Sequence, residues 1–423
     1  MPAALTRAGL AAWLRPGARV YWPGCAGASP LFEQWLHEAP DVAEGVWFCG
    51  MWIPGVNRFD PCALHPTARA SSFFMLAELH AGWQRGAVDL LPLHYTEAVR
   101  WLGTPGRFDV LMLHVAPPDD AGNCSLSIAA DFTPAVLAAL EAGAAVLAHV
   151  NPRLPSTNGP AVQVQRITAW VDADMTPLTL PAEPPGPALA TVAQRVAALV
   201  RDGDTLQFGL GKLQGAVLAA LADHRGLRVH AGMVSEGLLG LLHSGALAGR
   251  SLQQPPVCTG VALGSEALYR AVADPALVRF APVGYTHALA TLAAIPGLVA
   301  INSALEIDLL GQVNCETLGG RQISGVGGLI DFLRGARASE GGRGIVAATA
   351  TVGRDARSRI VPLLAAGPVG ISRADTDIVV TEQGCADLRG LGVDARAAAL
   401  VAVAAPAHRE ALSKAWHTLR RTL

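Results

Sequence analysis

One proline-rich break does most to limit what this chain can fold into. Residues 175–187 read MTPLTLPAEPPGP, and repeated prolines remove backbone donors and disfavour helix, leaving an extended connector. On both sides of it, apolar runs of strand length alternate with helix-period patterns. Before the break, residues 109–115 and 144–150 read as strands, and residues 68–83 and 134–142 as helices. After it, residues 188–200, 214–222 and 236–243 read as helices, interleaved with strands opening near Leu206 and at 227–230, 299–302, 344–348 and 378–381. Such alternation builds open α/β sheets. The predicted fold class is α/β, in two domains of similar size, residues 1–180 and 188–423, with room for a remote duplication.

Composition removes several classes of function. With 51% hydrophobic and 16% charged residues, the chain is not disordered. Its 45 glycines against 5% aromatic residues point to glycine turns between strands and helices and away from stacking platforms for bases. The net charge is −2 and the only lysines are Lys212 and Lys414, so no basic footprint for nucleic acid exists. No run reaches the ~18 apolar residues of a membrane span, and residues 1–13 lack a long apolar core and a clear cleavage site, so the expectation is a soluble, cytoplasmic protein. Seven cysteines (Cys25, Cys49, Cys62, Cys124, Cys258, Cys315 and Cys385) are an odd number without CxxC or zinc-ligand spacing. They are expected to be reduced and mostly buried, with no disulfide framework and no metal site.

Polar residues gather in a few stretches. Gln207-Phe208-Gly209-Leu210-Gly211 is a strand end running into a glycine loop and a helix, where backbone N–H groups can meet an anion or a carbonyl oxygen. The same pattern is also an ordinary strand-to-helix turn. Residues 302–314, NSALEIDLLGQVN, and 324–335, SGVGGLIDFLRG, concentrate Glu306, Asp308, amides and Gly325, Gly327 and Gly328 around Val326. Glycines without Cβ let a ligand approach the backbone, although a hairpin and a helix entry would use the same residues. In residues 380–390, VTEQGCADLRG, a structural pairing of Glu382 or Asp387 with Arg389 is the simpler reading. Asp119 and Asp120, after Pro117 and Pro118, read as a turn.

Taken together, these stretches resemble the acetyl-CoA hydrolase/transferase family of class I CoA-transferases, which includes 4-hydroxybutyrate and succinyl:acetate CoA-transferases. The likeness spans nearly the whole chain and is carried by QFGLG, INSALEIDLLGQVN, SGVGGLIDFLRGA, SRIVPLL and VTEQGCADLRG, with VAPPDDAGNCSL and HVNPRLPSTNG upstream. The resemblance implies two related open α/β domains, an active site in the cleft between them, a CoA thioester as substrate with a small acid or other acyl acceptor, and a homodimer. It implies no metal and no permanently bound cofactor. It also suggests Gly325, Val326, Gly327 and Gly328 as CoA-binding residues, and Gly209, Gly211 and Cys25 as candidates near the thioester.

In that family a glutamate attacks the acyl-CoA carbonyl, and CoA is then held as a glutamyl thioester, which is covalent catalysis in two easier steps. The glutamate stands in a His-Thr-Glu-Met-like motif. The matching residues here are His230-Ala231-Gly232-Met233, so glycine occupies the position of the nucleophile. Glu236 is the nearest acid in sequence, Glu306 another candidate, and His230 a candidate base within the altered motif. Three readings stay open: hydrolysis or acyl transfer without a glutamyl thioester, CoA transfer through Glu236 or Glu306, and acyl-CoA binding without turnover. Among the cysteines, Cys25, Cys315 and Cys385 lack an adjacent His or Lys that would lower a thiol pKa, and inert packing is the simpler reading, as it is for His94.

Overall fold

A computed structural model describes residues 2–181, 184–364 and 367–422. Two residues of the proline-rich connector, Ala182 and Glu183, lie outside the described residues. The chain divides into two compact units, Met1–Pro181 with Arg250–Thr286, and Ala182–Gly249 with His287–Leu423.

The first unit is built on an eight-stranded sheet. Across it run Ala3–Ala4, Ala169–Asp172, Ala145–Val150, Val110–Val115, Arg19–Tyr21, Trp47–Gly50, Arg69–Ser72 and Val88–Leu90, each pair parallel. Parallel strands are covered on both faces and therefore read as unbroken apolar runs. VLMLHV at Val110–Val115 and AVLAHV at Ala145–Val150 are buried throughout. Around them pack Tyr21, Trp22, Phe32, Phe48, Phe73 and Phe132. Segment Arg250–Thr286 joins this unit through backbone bonds, Ala130 N to Gly260 O at 2.9 Å, Leu180 N to Gly264 O at 3.1 Å and Phe280 N to Asn158 O at 2.7 Å.

One expectation fails here. The stretch 68–83, read as one helix, opens with the strand Arg69–Ser72, and only His80–Gln84 is helical. The small residues Ala70, Ser71 and Ser72 are buried and paired with strands on both sides. That tertiary pairing overrides a local pattern in which apolar residues also fit a helical period.

In the second unit the strands Arg228–Ser235, Thr205–Gln207, Leu298–Ser303, Arg343–Ala347 and Ile378–Thr381 pair in parallel in that order, and Gly384–Asp387 adds an antiparallel hairpin. The helix Leu329–Ala338 buries Ile330, Phe332, Leu333 and Ala336 in a core with Leu298, Ile307, Leu309 and Leu400. An ion pair of 2.6 Å between Arg343 and Asp204, both under 10% exposed, ties the start of one strand to the turn before another, and Arg343 also donates to Leu199 O at 2.7 Å. Removing either partner would strand a buried charge at a cost of about 3–5 kcal/mol.

The two units share a pattern. In each, strands step outward on one side of a central strand, Arg19–Tyr21 or Thr205–Gln207, and later strands are laid on its other side, so the chain's progress across the sheet reverses beside that strand. In the first unit that reversal lies between Arg19–Tyr21 and Val110–Val115, and in the second between Thr205–Gln207 and Leu298–Ser303. Open α/β sheets bind ligands at the carboxyl ends of strands beside such a reversal.

Candidate functional site

In the second unit the reversal point carries the glycine loop. Thr205–Gln207 ends in the loop Phe208-Gly209-Leu210-Gly211, and Leu298–Ser303 ends beside it. Asn302 Nδ2 donates to Gln207 Oε1 at 3.1 Å, bracing the two strand ends. At Gly209 a Cβ would meet no atom within 4 Å, so open space faces the backbone there. Gly211 has φ +117° and precedes the helix Lys212–Ala220, a conformation that side chains rarely adopt, so glycine is needed for the turn itself.

Next to Thr205–Gln207 runs Arg228–Ser235, with Leu206 level with Val229. Continuing that register puts Gly232 past the end of Thr205–Gln207, at the sheet's carboxyl edge. His230 and Ala231 are buried there, whereas Gly232 and Met233 are part-exposed. The space a side chain at 232 would enter is taken. A Cβ on Gly232 would stand 2.7 Å from Cε1 and 3.0 Å from Nε2 of His287, and 3.8 Å from Cε2 of Phe332. His287 is 2% exposed and its ring lies 4.4 Å from that of Phe332, at 53°. Burial, reinforced by the nearby His230, pushes the His287 pKa down to about 3, so the ring is neutral at physiological pH. Sequence reading missed His287. It comes to Gly232 from a separate segment with no motif of its own, and the sequence around Gly232 does not name it.

The other expected residues are distributed around this point. Glu236 occupies the cap position of the helix Gly237–His243. Glu306, on the short strand Glu306–Asp308, accepts from Asn314 Nδ2 at 3.2 Å and lies in the field of Arg359. Asp308 is fully buried and accepts from Leu310 N at 3.1 Å, Gln312 N at 2.9 Å and Gln312 Nε2 at 2.7 Å, which makes it the lock of a turn. Gly325, Val326 and Gly327 are buried, Gly327 has φ +58°, and Gly328 caps the helix Leu329–Ala338. Glu382 Oε2 accepts from Ala350 N at 2.7 Å, while Arg389 holds Asp387 through bonds of 2.9 and 2.6 Å. Asp119 accepts from Ala121 N and Asn123 N, as a turn residue does.

Cys25 belongs to the first unit, in the loop that follows Arg19–Tyr21 at that unit's own reversal point. Its backbone has φ +52° and is clamped by Asn57, whose Oδ1 accepts from Cys25 N at 2.8 Å and whose Nδ2 donates to Cys25 O at 3.3 Å. Burial pushes its thiol up to about 12, and Cys315 likewise, so neither is a ready thiolate. Ser127, with φ +57°, and Asp131, with φ +35°, join Cys25 among the four described non-glycine residues at positive φ. Asp131 was also missed from sequence. Burial pushes its carboxyl up to about 7; Tyr21, Cys25 and Tyr95 are raised by their own burial first and by the charge of Asp131 after it. Among the described residues no group of three or more His, Cys, Asp or Glu is placed to hold a metal ion, and no helix is long and apolar enough to cross a membrane.

Parallel sheets with a glycine loop, paired amides and a buried imidazole at a strand reversal define an α/β enzyme that works on a small ligand at its strand ends. Comparison with known proteins narrows the class. The profile of the acetyl-CoA hydrolase/transferase C-terminal domain matches residues 264–416. The chain is 36% identical over 308 residues to the 4-hydroxybutyrate coenzyme A transferase of Clostridium kluyveri, covering 72% of this chain and 71% of that one. It is 34% identical over 413 residues to the succinyl-CoA:acetate/propanoyl-CoA:succinate CoA transferase of Fasciola hepatica, covering 95% and 85%. The crystal structure of RipA from Yersinia pestis superposes with a TM-score of 0.89 at 26% identity, over 99% of this chain and 98% of that one. The chain belongs to the acetyl-CoA hydrolase/transferase family and is an enzyme of acyl-CoA hydrolysis or transfer.

Proposed function

We propose that this enzyme cleaves an acyl-CoA thioester, by hydrolysis or by acyl transfer to a non-carboxylate acceptor, without a glutamyl-CoA intermediate. One observation carries the reading: position 232 has no side chain, and the volume a glutamate would enter is filled by the ring of His287. Without a carboxylate there, no anhydride forms and CoA has no place to be stored while one acid leaves and another enters. The open backbone at Gly209 and the helix entry at Lys212–Ala220 are suited to receive the thioester oxygen, whose developing charge N–H groups stabilise. Gly325 to Gly328, at the start of Leu329–Ala338, are assigned to the CoA moiety on the strength of the family resemblance. The CoA thioester is substrate, not a resident group, and the protein is read as a cytoplasmic homodimer that needs no further cofactor.

Release of free CoA thiol from short, branched and dicarboxylic acyl-CoAs, with and without acetate or succinate, tests this reading. The expected result is thiol release independent of either acid, with no glutamate modified in mass spectra after hydroxylamine or borohydride treatment. An adduct on Glu236 or Glu306, or exchange that requires acetate, would restore ordinary CoA transfer. Tight acyl-CoA binding with no thiol release would mark a binding protein.

A further inference from the structure

At the amino ends of the second unit's strands, away from the glycine loop, a cavity of about 330 Å³ opens among arginines. We propose that it is a binding site for a small phosphate-bearing anion, separate from the acyl-CoA site and independent of how the thioester is cleaved. Its wall includes Gly342, just before the strand Arg343–Ala347, and Asp377, just before Ile378–Thr381. Leu388 to Gly390 close it, following the hairpin strand whose Asp387 is level with Ile378. Gly390 has φ +70° and a Cβ on it would meet nothing within 4 Å, so the mouth is open there. Gly209 and Gly232 stand at the opposite edge, past the carboxyl ends. A strand of the length of Arg343–Ala347, at about 3.3 Å per residue, holds the two edges roughly 13–16 Å apart. The helix Leu329–Ala338 spans a similar length, with Gly328 at one end and Arg337, on the cavity wall, in its last turn.

The charges around this cavity do not cancel. Asp375 accepts from Arg334 at 3.2 and 3.1 Å, Asp377 is paired with Arg337, and Asp387 is held by Arg389 at 2.9 and 2.6 Å. These three carboxylates each have a guanidinium, and two guanidiniums are left without a carboxylate. Arg396, on the cavity wall, donates only to backbone carbonyls: Leu310 O and Leu388 O at 3.2 Å, Arg373 O at 2.6 Å and Thr376 O at 3.4 Å. Its charge is thereby fixed in place with no opposite charge bonded to it. Burial, then the charges of Arg337 and Arg373, hold its pKa below the ordinary value, with Asp377 acting the other way. Arg373 is exposed beside the wall residue Ala374, and its guanidinium makes no hydrogen bond or ion pair with a described residue. Two uncompensated cations at one cavity suit a doubly charged anion better than a single carboxylate, and the planar donor fork of arginine matches phosphate oxygens. The volume lies at the small end of ligand pockets, with room for a phosphate group and a small organic body.

The test titrates the full chain with pyrophosphate and with inorganic phosphate, read by calorimetry and by Tm, against sodium chloride at equal ionic strength. Saturable binding of a phosphate compound that chloride does not reproduce is expected, with a matching rise in Tm. Arg373→Glu, at an exposed position, is expected to weaken that binding by about tenfold or more. Ala374→Glu, also exposed, brings a carboxylate of the chain's own to the cavity. It is expected to weaken binding as strongly, in a protein that without ligand melts no earlier than the parent. Saturating CoA is expected to leave the pyrophosphate affinity unchanged. A parent that binds neither phosphate compound overturns the proposal, as does binding that chloride matches, or a folded variant of either kind that binds as tightly as the parent. Displacement by CoA overturns it too, because the cavity would then belong to the acyl-CoA site. None of these outcomes depends on thiol release, so failure here and failure of the proposed function are distinct.

Discussion

Each unit of this protein buries a pair of histidines, on adjacent strands in the first unit and, in the second, one on a strand and one in a turn between two short helices. In the first unit His114 and His149 are register partners on adjacent strands, stacked at 4.7 Å and 10°. Asn151 Nδ2 meets His114 Nε2 at 2.9 Å, and His149 reaches Ser29 Oγ and Ala173 O, both at 2.9 Å. In the second unit His287 packs against Gly232, and His230 is near enough for its charge to act on that ring. Burial followed by the partner's charge takes both His114 and His287 down to about 3. Equal electrostatics therefore do not distinguish the two settings. What differs is the setting: in the first unit Ser29 and Asn151 sit against the two rings, and in the second the His287 ring packs against a residue without a side chain.

The sharpest way to break this contrast is to return the carboxylate. Gly232→Glu alone puts a Cβ 2.7 Å from the His287 ring and is expected to cost about 1–3 kcal/mol of stability and to abolish turnover. In Gly232→Glu with His287→Ala the obstruction is gone. That double variant is expected to gain acetate-dependent CoA exchange and a trappable glutamyl adduct that the parent lacks, since a positioned nucleophile has an effective molarity on the order of 10⁵ M or more. Exchange assays and peptide mass spectra read both outcomes. A single variant as stable and as active as the parent would show that the ring is free to leave, and would undo the argument from space.

The first unit supplies the control. His149→Phe removes the bonds to Ser29 and Ala173 O while keeping a ring in the stack, and is expected to cost about 1–3 kcal/mol in urea unfolding, because it leaves buried polar atoms without partners. Its kcat is expected to stay at the parent value. A His149→Phe protein that folds but no longer turns over would show that the first unit's pair is not only structural.

Acid titration sharpens the contrast in stability. His114 and His287 are neutral when folded and bind a proton near pH 6.5 when unfolded, so between pH 6.5 and about 3 the unfolded state holds more protons. Their contribution is present above pH 6.5 and is lost as pH falls. Asp131 acts in the opposite sense. Its carboxyl moves from 3.8 to about 7 on folding, so its contribution is present below pH 3.8 and is lost as pH rises through about 7. Urea midpoints from pH 4 to 8 are expected to fall at both ends. His114→Gln should flatten the acid limb and Asp131→Asn the neutral limb. An unchanged neutral limb in Asp131→Asn would show that this carboxyl is not held protonated.

How much of this was legible in the sequence follows from which forces are local. The fully buried strands Val110–Val115 and Ala145–Val150 announce themselves because a parallel sheet needs apolar residues on both faces. The strand Arg69–Ser72 does not, because its small residues are chosen by neighbours across the sheet rather than by their own period. Gly209 and Gly211 belong to a continuous strand-to-helix motif that can be read without the structure, and Gly232 was singled out by the resemblance alone. His287 comes to Gly232 from a distant segment with no motif of its own, and Asp131 is marked only by a backbone angle and burial.

The smallest expected effect lies in the glycine loop, where two neighbouring glycines have different reasons to be glycine. Gly211, at φ +117°, is fixed by backbone geometry, and Gly211→Ala is expected to lower stability by about 1–2 kcal/mol whatever the ligand does. Gly209 is free of both constraints, since its φ lies outside the left-handed region and a Cβ would meet nothing within 4 Å. Gly209→Ala should therefore leave stability unchanged or raise it by about 0.4–1 kcal/mol, through the lower entropy of the unfolded chain. If the thioester oxygen comes to this backbone, the added methyl enters the ligand's volume and kcat/KM falls several-fold in a protein that unfolds no earlier than the parent. Loss of activity without loss of stability places substrate against Gly209. Equal activity in both proteins would move the oxyanion elsewhere on the strand ends, with the Gly325 to Gly328 turn before Leu329–Ala338 as the next backbone to substitute.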